Sequence, residues 1–201
     1  KVPREGAERL SQLHPRLAFV KGPSWDAAEA ATQQRFTSLA AELGLPTVEL
    51  PAMFDEAIEV HRRLTWPELA HLFRWEYDQG QGGLSDALRT MVAGGREMPA
   101  TDYLAAIDAR ARLREAIGPL LDRFDALVTP PATGEAPIGL DSTGSPVFCT
   151  VWTLLGTPAV SLPLLRGPAG MPLGVQLVGA RGRDAVLLAA AAWLDARLGP
   201  A

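Results

Sequence analysis

Between Thr153 and Gly179 the chain reads TLLGTPAVSLPLLRGPAGMPLGVQLVG. Its two apolar runs, AVSLPLL and LGVQLVG, are apolar on both faces. A strand of that kind has to be covered on both sides, as a central strand between helix layers is. RGPAGMP joins the runs with glycine and proline turn chemistry. Pro163 and Pro172 lack an amide donor, so they belong at strand ends or where the ladder is interrupted. Gly174 permits close backbone approach, and Gln176 is the one polar side chain inside the second run.

The rest of the chain supplies the layers. RLAFVKG (Arg16 to Gly22) reads as a short buried strand. Asp26 opens a helical stretch in which Phe36, Leu39, Ala40 and Leu43 follow i, i+3, i+4, i+7 spacing. Gly44 stops it and Pro46 follows. TVEL (Thr47 to Leu50) is the next strand, so strand, helix and strand take up about 35 residues, the size of a βαβ unit. Phe54 to Tyr77 is helical, with TWPE (Thr65 to Glu68) read as a capping box and Leu69, Phe73 and Tyr77 as a stripe. QGQGG (Gln79 to Gly83) ends that helix. A long helix opens at Thr101 and Asp102, buries Leu113, Ile117, Leu120 and Phe124, and is expected to kink or break at Pro119. DALVTPP (Asp125 to Pro131) is a strand running into a loop, and Ala132 to Pro146 has only loop chemistry. Asp184 to Leu198 is a helix with Leu187, Ala191, Leu194 and Leu198 on one face. Strands and helices alternate. The expected fold is therefore α/β, a mixed and largely buried β-sheet flanked by helices on both sides.

Composition narrows the function classes. The chain has 201 residues, 47% of them hydrophobic and 21% charged, which excludes disorder and allows a sizeable core. Residues 1–100 carry 11 basic and 14 acidic groups, and residues 101–201 carry 8 and 9. Neither half is polarised, so nucleic acid and anionic membrane have no electrostatic support as partners. No apolar run approaches the roughly 18 residues that span a bilayer. The single cysteine, Cys149, cannot form an internal disulfide and fits a reducing compartment. KVPREGAERL at the start is polar, unlike a signal peptide, and lacks an initial methionine. The expectations are a trimmed chain or a fragment, and a cytoplasmic location.

Several residues could carry chemistry. Gln176 either braces a loop carbonyl, the ordinary role of a buried amide, or points into a pocket. Cys149, in VFCTVW, is either a nucleophile or a small buried hydrophobe, and no histidine motif stands near it. His61 and His71 with Glu56, Glu59 and Glu68 lack helical metal-ligand spacing, and solvated helix faces explain them better. Trp66, Phe73, Trp75 and Tyr77 form either a stacking platform or, at these spacings, a core face. Thr129, Pro130 and Pro131 end a strand, where ligands of α/β sheets gather, although consecutive prolines also simply make turns. Trp152 is either the wall of a pocket or a core residue.

LGTPAVSLPLLRGPAGMPLGVQLVGARGRDAVLLAAAAWL resembles the C-terminal signature of the amidase signature family of hydrolases. That family carries a segment of the type tGlPaisvPxG…GlPvGvQlvG before a leucine- and alanine-rich helix. DALVTPPATGEAP (Asp125 to Pro137), PATDYLAAIDARARL (Pro99 to Leu113) and WTLLG (Trp152 to Gly156) resemble family segments too. The match is strong from Ala100 to Leu198 and holds in element order back to Arg16. So regular an agreement of glycine, proline and glutamine positions is far more specific than a lone glycine motif. The resemblance implies hydrolysis or transfer of amide groups by a serine nucleophile, a second serine with a cis peptide bond, and a lysine, all in the N-terminal half of the family domain. Here the serines are Ser11, Ser24, Ser38, Ser85, Ser142, Ser145 and Ser161, and the lysines are Lys1 and Lys21. None stands in a matching context, so no catalytic residue carries over. The resemblance makes residues 1–201 the C-terminal part of one amidase domain, with the nucleophile supplied by a segment elsewhere.

It also implies that the loop after Val128 and the segment Cys149 to Thr153 line a substrate tunnel. The substrate-binding candidates are Thr129, Pro130, Trp152, Thr153 and Gln176. The family often has asparagine at the position of Thr153, and this chain has none. No metal or organic cofactor is implied. The expected partners are the N-terminal segment, a small-molecule amide and, as a homo-oligomer, a second copy. Two alternatives stay open. One is a non-catalytic assembly or interaction module derived from an amidase. The other is a self-contained α/β binding domain.

Overall fold

A computed structural model describes residues 14–80, 83–139 and 142–199. The expectations that touch residues 1–13, Gln81 and Gly82 of the glycine-rich stretch, and Leu140 and Asp141 of the long loop lie outside the described residues.

The described chain begins with strand β1 (Leu17–Val20), a short 3-10 turn (Trp25–Ala27), helix α1 (Ala30–Glu42) and strand β2 (Thr47–Val48). β1 and β2 pair in parallel with Phe19 opposite Thr47, so the βαβ unit is present. Two details differ from the sequence reading. Asp26 opens only the 3-10 turn, because Ala28 is already extended, and α1 starts four residues later. β2 keeps two residues of the expected four. Gly44 adopts a left-handed φ of 64°, the conformation that lets the chain leave α1.

Four helices follow: α2 (Ala57–Leu72), α3 (Arg74–Gln79), α4 (Asp86–Glu97) and α5 (Ala100–Arg123). Thr65 does not cap a helix. It lies inside α2, where its hydroxyl meets His61 Nε2 at 3.3 Å. The buried stripe of α2 is Ala57, Val60, Leu64 and Ala70, whereas Leu69, Phe73 and Tyr77 are half-buried. α4 has no counterpart in the sequence reading. Ser85 caps it by accepting a hydrogen bond from the Leu88 amide. Its Gly94–Gly95 pair lets it lie directly on α2, with Gly95 against the Trp66 carbonyl and Gly94 against the indole. Pro119 does not break α5, which runs on to Arg123. Leu121, rather than Leu120, completes its buried stripe.

Strand β3 (Ala126–Thr129) leads into the long loop. Helix α6 (Val147–Leu155), the hairpin β4 (Ala159–Arg166) and β5 (Pro172–Val178), and helix α7 (Asp184–Leu198) complete the chain. The sheet order is β2-β1-β3-β5-β4. β3 is parallel to β1, and β5 is antiparallel to both β3 and β4. β5 is an inner strand, as its sequence suggests. β4 is not. It lies at the sheet edge and most of it is exposed or half-exposed. Pro163 falls where the β4–β5 register shifts between Leu162 and Leu165, and Pro172 starts β5, so both prolines stand where a missing amide donor is tolerated.

Alternation along the strands sorts the core into two layers. Ala18, Val20, Leu127 and Val178 face α2, α5 and α6 through Leu64, Ile117 and Trp152. Leu17, Phe19, Val128, Val175 and Leu177 face α1 and α7 through Phe36, Leu39 and Leu194. At the start of the parallel strands, Arg16 and Asp125 tie β1 to β3 with a 3.0 Å ion pair and a 2.8 Å bond from the Arg16 amide. The guanidinium bond holds the Asp125 carboxyl below its ordinary range.

Candidate functional site

The parallel strands β1 and β3 point their C-terminal ends toward one edge of the sheet, the place where ligands of α/β folds collect. Thr129 closes β3 there, only 2% exposed, and Pro130 beside it is buried. The strand register sets Thr129 opposite Gln176, and Gln176 opposite Ser161. All three side chains lie on the sheet face that carries α6, so a row of polar groups crosses β3, β5 and β4. Gly174 stands two residues before Gln176 on the same face of β5. A Cβ there would come within 2.6 Å of Ser161 Oγ and 2.9 Å of Pro131 Cγ, so a residue without a side chain is required.

α6 lies over this row. Cys149 Sγ donates to the Pro131 carbonyl at 3.3 Å and accepts from Gln176 Nε2 at 3.5 Å. Gln176 is only 5% exposed, and its Oε1 has no protein partner among the described residues. The amide therefore reaches a thiol instead of the loop carbonyl expected of it, and the thiol makes the bond to that loop. Thr153 is exposed one turn beyond Cys149 on α6. Trp152 is 4% exposed, packs in the core, and borders a crevice of about 10 Å³ shared with Lys21, Ser24 and Thr129. That volume is about the least that admits one water.

Of the five candidates, the structure brings together Thr129, Pro130 and Gln176, with Trp152 and Thr129 lining one crevice. Thr153 stands apart. The sequence reading misses Ser161 and Gly174 as neighbours of Gln176. Their only sequence signal is the strand period, which becomes a contact once the register is known.

Other groupings do not converge. The Ser24 hydroxyl donates to the Val147 carbonyl at 3.5 Å, and the Lys21 ammonium stacks over Trp25 at 5.4 Å. Trp66 packs under Arg62 and against α4, Tyr77 lies under Arg96, and Trp75 is 68% exposed, so these aromatics form no common platform. Glu59 binds Arg62 and Arg63, which hold its pKa down at about 2. His61 is pushed below its ordinary value by burial, with the charge of Glu68 opposing. Among the described residues no three His, Cys, Asp or Glu side chains are placed to hold a metal ion. No helix among them is long and apolar enough to cross a membrane. A larger cavity, about 640 Å³ and lined by His14, Glu42, Trp193 and Arg197, lies at the opposite end of the sheet, where the parallel strands begin.

The family model described as Amidase matches residues 14–188. The glutamyl-tRNA(Gln) amidotransferase of Treponema pallidum (strain Nichols) contains a polypeptide that is 28% identical over 218 residues, covering 97% of this chain and 42% of that one. A fatty acid amide hydrolase of Arabidopsis thaliana is 32% identical over 124 residues, covering 56% of this chain and 20% of that protein. A crystal structure of an amidase superposes with a TM-score of 0.79 at 28% identity, covering 93% of this chain and 46% of that one. A 6-aminohexanoate cyclic dimer hydrolase shares the fold at a TM-score of 0.75 and 21% identity, covering 99% of this chain and 48% of that one. The chain thus spans less than half the length of these relatives.

Proposed function

Because the chain belongs to the amidase family, we propose that it forms the substrate-facing C-terminal part of an enzyme that hydrolyses a carboxylic amide to the acid and ammonia. The nucleophile in this reading is a serine, acting through an acyl-enzyme, supplied by polypeptide outside these 201 residues. The observation that carries it is the polar row beneath α6. Gln176 presents a buried amide whose oxygen is unpartnered among the described residues, at the C-terminal end of β3, within the segment that resembles the family signature. Thr129, Pro130 and Gln176 are assigned to the substrate wall, with Trp152 at the crevice beside it and Thr153 on the exposed face of α6. Their share of the chemistry is orientation and exclusion of water, which lower the barrier by holding the reacting carbonyl in place. The engagement of Ser24 with a carbonyl and of Lys21 with Trp25 supports a nucleophile from elsewhere.

The test is ammonia release from acetamide, hexanamide and benzamide. The 201-residue chain alone should release none above buffer. The same chain continuous with a family-type N-terminal half should turn over at least one of them, and Gln176→Ala should lower that rate about tenfold, the effect of one lost positioning contact. Turnover by the isolated chain would overturn the reading. An inactive fusion that still folds would favour the second reading, a non-catalytic assembly module derived from an amidase, for which the lack of a matching serine and lysine speaks directly.

A further inference from the structure

Glu135 sits in the long loop after β3, away from the polar row, yet its carboxylate reaches the turn of the β4–β5 hairpin. Oε1 accepts from the Met171 amide at 2.8 Å and Oε2 accepts from the Ala169 amide at 3.0 Å. Gly167 makes this approach feasible, since a Cβ there would collide with Glu135 Cγ and Cδ. The same loop is held from its other side. The Glu29 amide donates to the Thr133 carbonyl at 2.8 Å, and Gly134 leaves room for the Glu29 carboxylate. Two residues before Thr133, the Pro131 carbonyl accepts from Cys149, which in turn accepts from Gln176. A continuous run of contacts therefore links the hairpin turn to the wall beneath α6.

We infer that Glu135 is a positioning residue, a carboxylate clamp that fixes the loop after β3 against the hairpin and so sets the place of Pro131, Cys149 and Gln176. A bidentate carboxylate on two nearby backbone donors suits this role, because charge-assisted bonds are stronger and more directional than neutral ones. The loop between Ala132 and Pro146 has no helix or strand among its described residues and depends on such contacts for its shape. The significance of the clamp for substrate rests on the reading of that wall given above, but the clamp itself can be tested without turnover.

Cys149 is the only thiol in the chain, so it reports on its own surroundings. Its reaction with 5,5′-dithiobis(2-nitrobenzoate) breaks the reagent's S–S bond, forms a mixed disulfide at Cys149 and releases one thionitrobenzoate, read by absorbance. Glu135→Ala should speed this reaction about tenfold, as expected when two charge-assisted bonds that hold the loop are lost. Glu135→Gln keeps one acceptor oxygen and should fall between wild type and Glu135→Ala. Gly167→Ala, which forces the carboxylate off the turn, should match Glu135→Ala. Glu59→Ala, which removes two ion pairs on α2 remote from the loop, should leave the rate within about twofold of wild type. A Glu135→Ala chain that keeps the wild-type circular dichroism and the wild-type thiol rate would overturn the clamp. So would an equal increase in Glu59→Ala, since the effect would then be global loosening.

Discussion

Among the described residues Gln176 makes one hydrogen bond, to a sulfur acceptor, and its other polar atom is buried without a partner. A buried acceptor without a partner costs about 1–3 kcal/mol, more than the weak bond to sulfur returns. Gln176→Met, which keeps the shape and removes the orphan, should therefore raise the urea midpoint by the equivalent of about 1 kcal/mol. A lower midpoint would mean that an ordered water pairs Oε1. The same side chain shows the reach and the limit of sequence reading. That an amide inside LGVQLVG is buried is legible from the run around it. Its partner is not, because Cys149 lies 27 positions away and meets it only through the packing of α6 on the sheet. His61 gives a second expectation at this scale. Burial depresses its folded-state pKa below the ordinary 6.5, so the unfolded chain takes up the proton first. Stability should then be complete above pH 6.5 and decline as the pH falls through the folded value. Thermal melts between about pH 7.5 and 5 should show a shallower acid-side loss in His61→Gln than in the wild type.

The elements that are legible are those whose period or punctuation is strong. β1, α1, β3, the β4–β5 hairpin and α7 fall where apolar spacing and glycine or proline stops put them. α4 escapes notice because its Gly94–Gly95 pair reads locally as a breaker. In the fold the pair is a contact surface that admits the backbone of α2 around Trp66. Gly95→Ala would set a methyl against the Trp66 carbonyl, a backbone group that cannot rotate away. It should cost about 1–3 kcal/mol by denaturant titration, in the range of an overpacked contact and opposite in sign to the gain from helix propensity. Thr65 and Pro67 mislead in the converse way. TWPE has the letters of a capping box, but α2 has already begun at Ala57, where the packing of Val60 and Leu64 on the core sustains it. Pro119 is likewise carried inside α5, since Leu113, Ile117 and Leu121 anchor the helix on both sides of it.

At the largest scale the described residues form a five-stranded sheet with helix layers on both faces and a strand, β4, at its edge. An edge strand offers a row of unpaired backbone groups to another chain. Leu72, Leu104 and Trp75 add apolar surface, at 66%, 59% and 68% exposure. Light scattering over about a hundredfold range of concentration is expected to show self-association of the 201-residue chain, and a constant monomer mass would contradict that expectation. What the sequence by itself determined was the class of fold, its two-sided core and the family. These follow from local periods, turn chemistry and a motif, all carried by neighbours in the chain. The tertiary structure alone decided that β4 is an outer strand, that Thr129, Gln176 and Ser161 share a row, that Cys149 bridges Gln176 to Pro131, and that Glu135 grips the hairpin turn. Each of these depends on strand register or on contacts between residues far apart in the chain, and no local free energy specifies such pairings before the core closes around them.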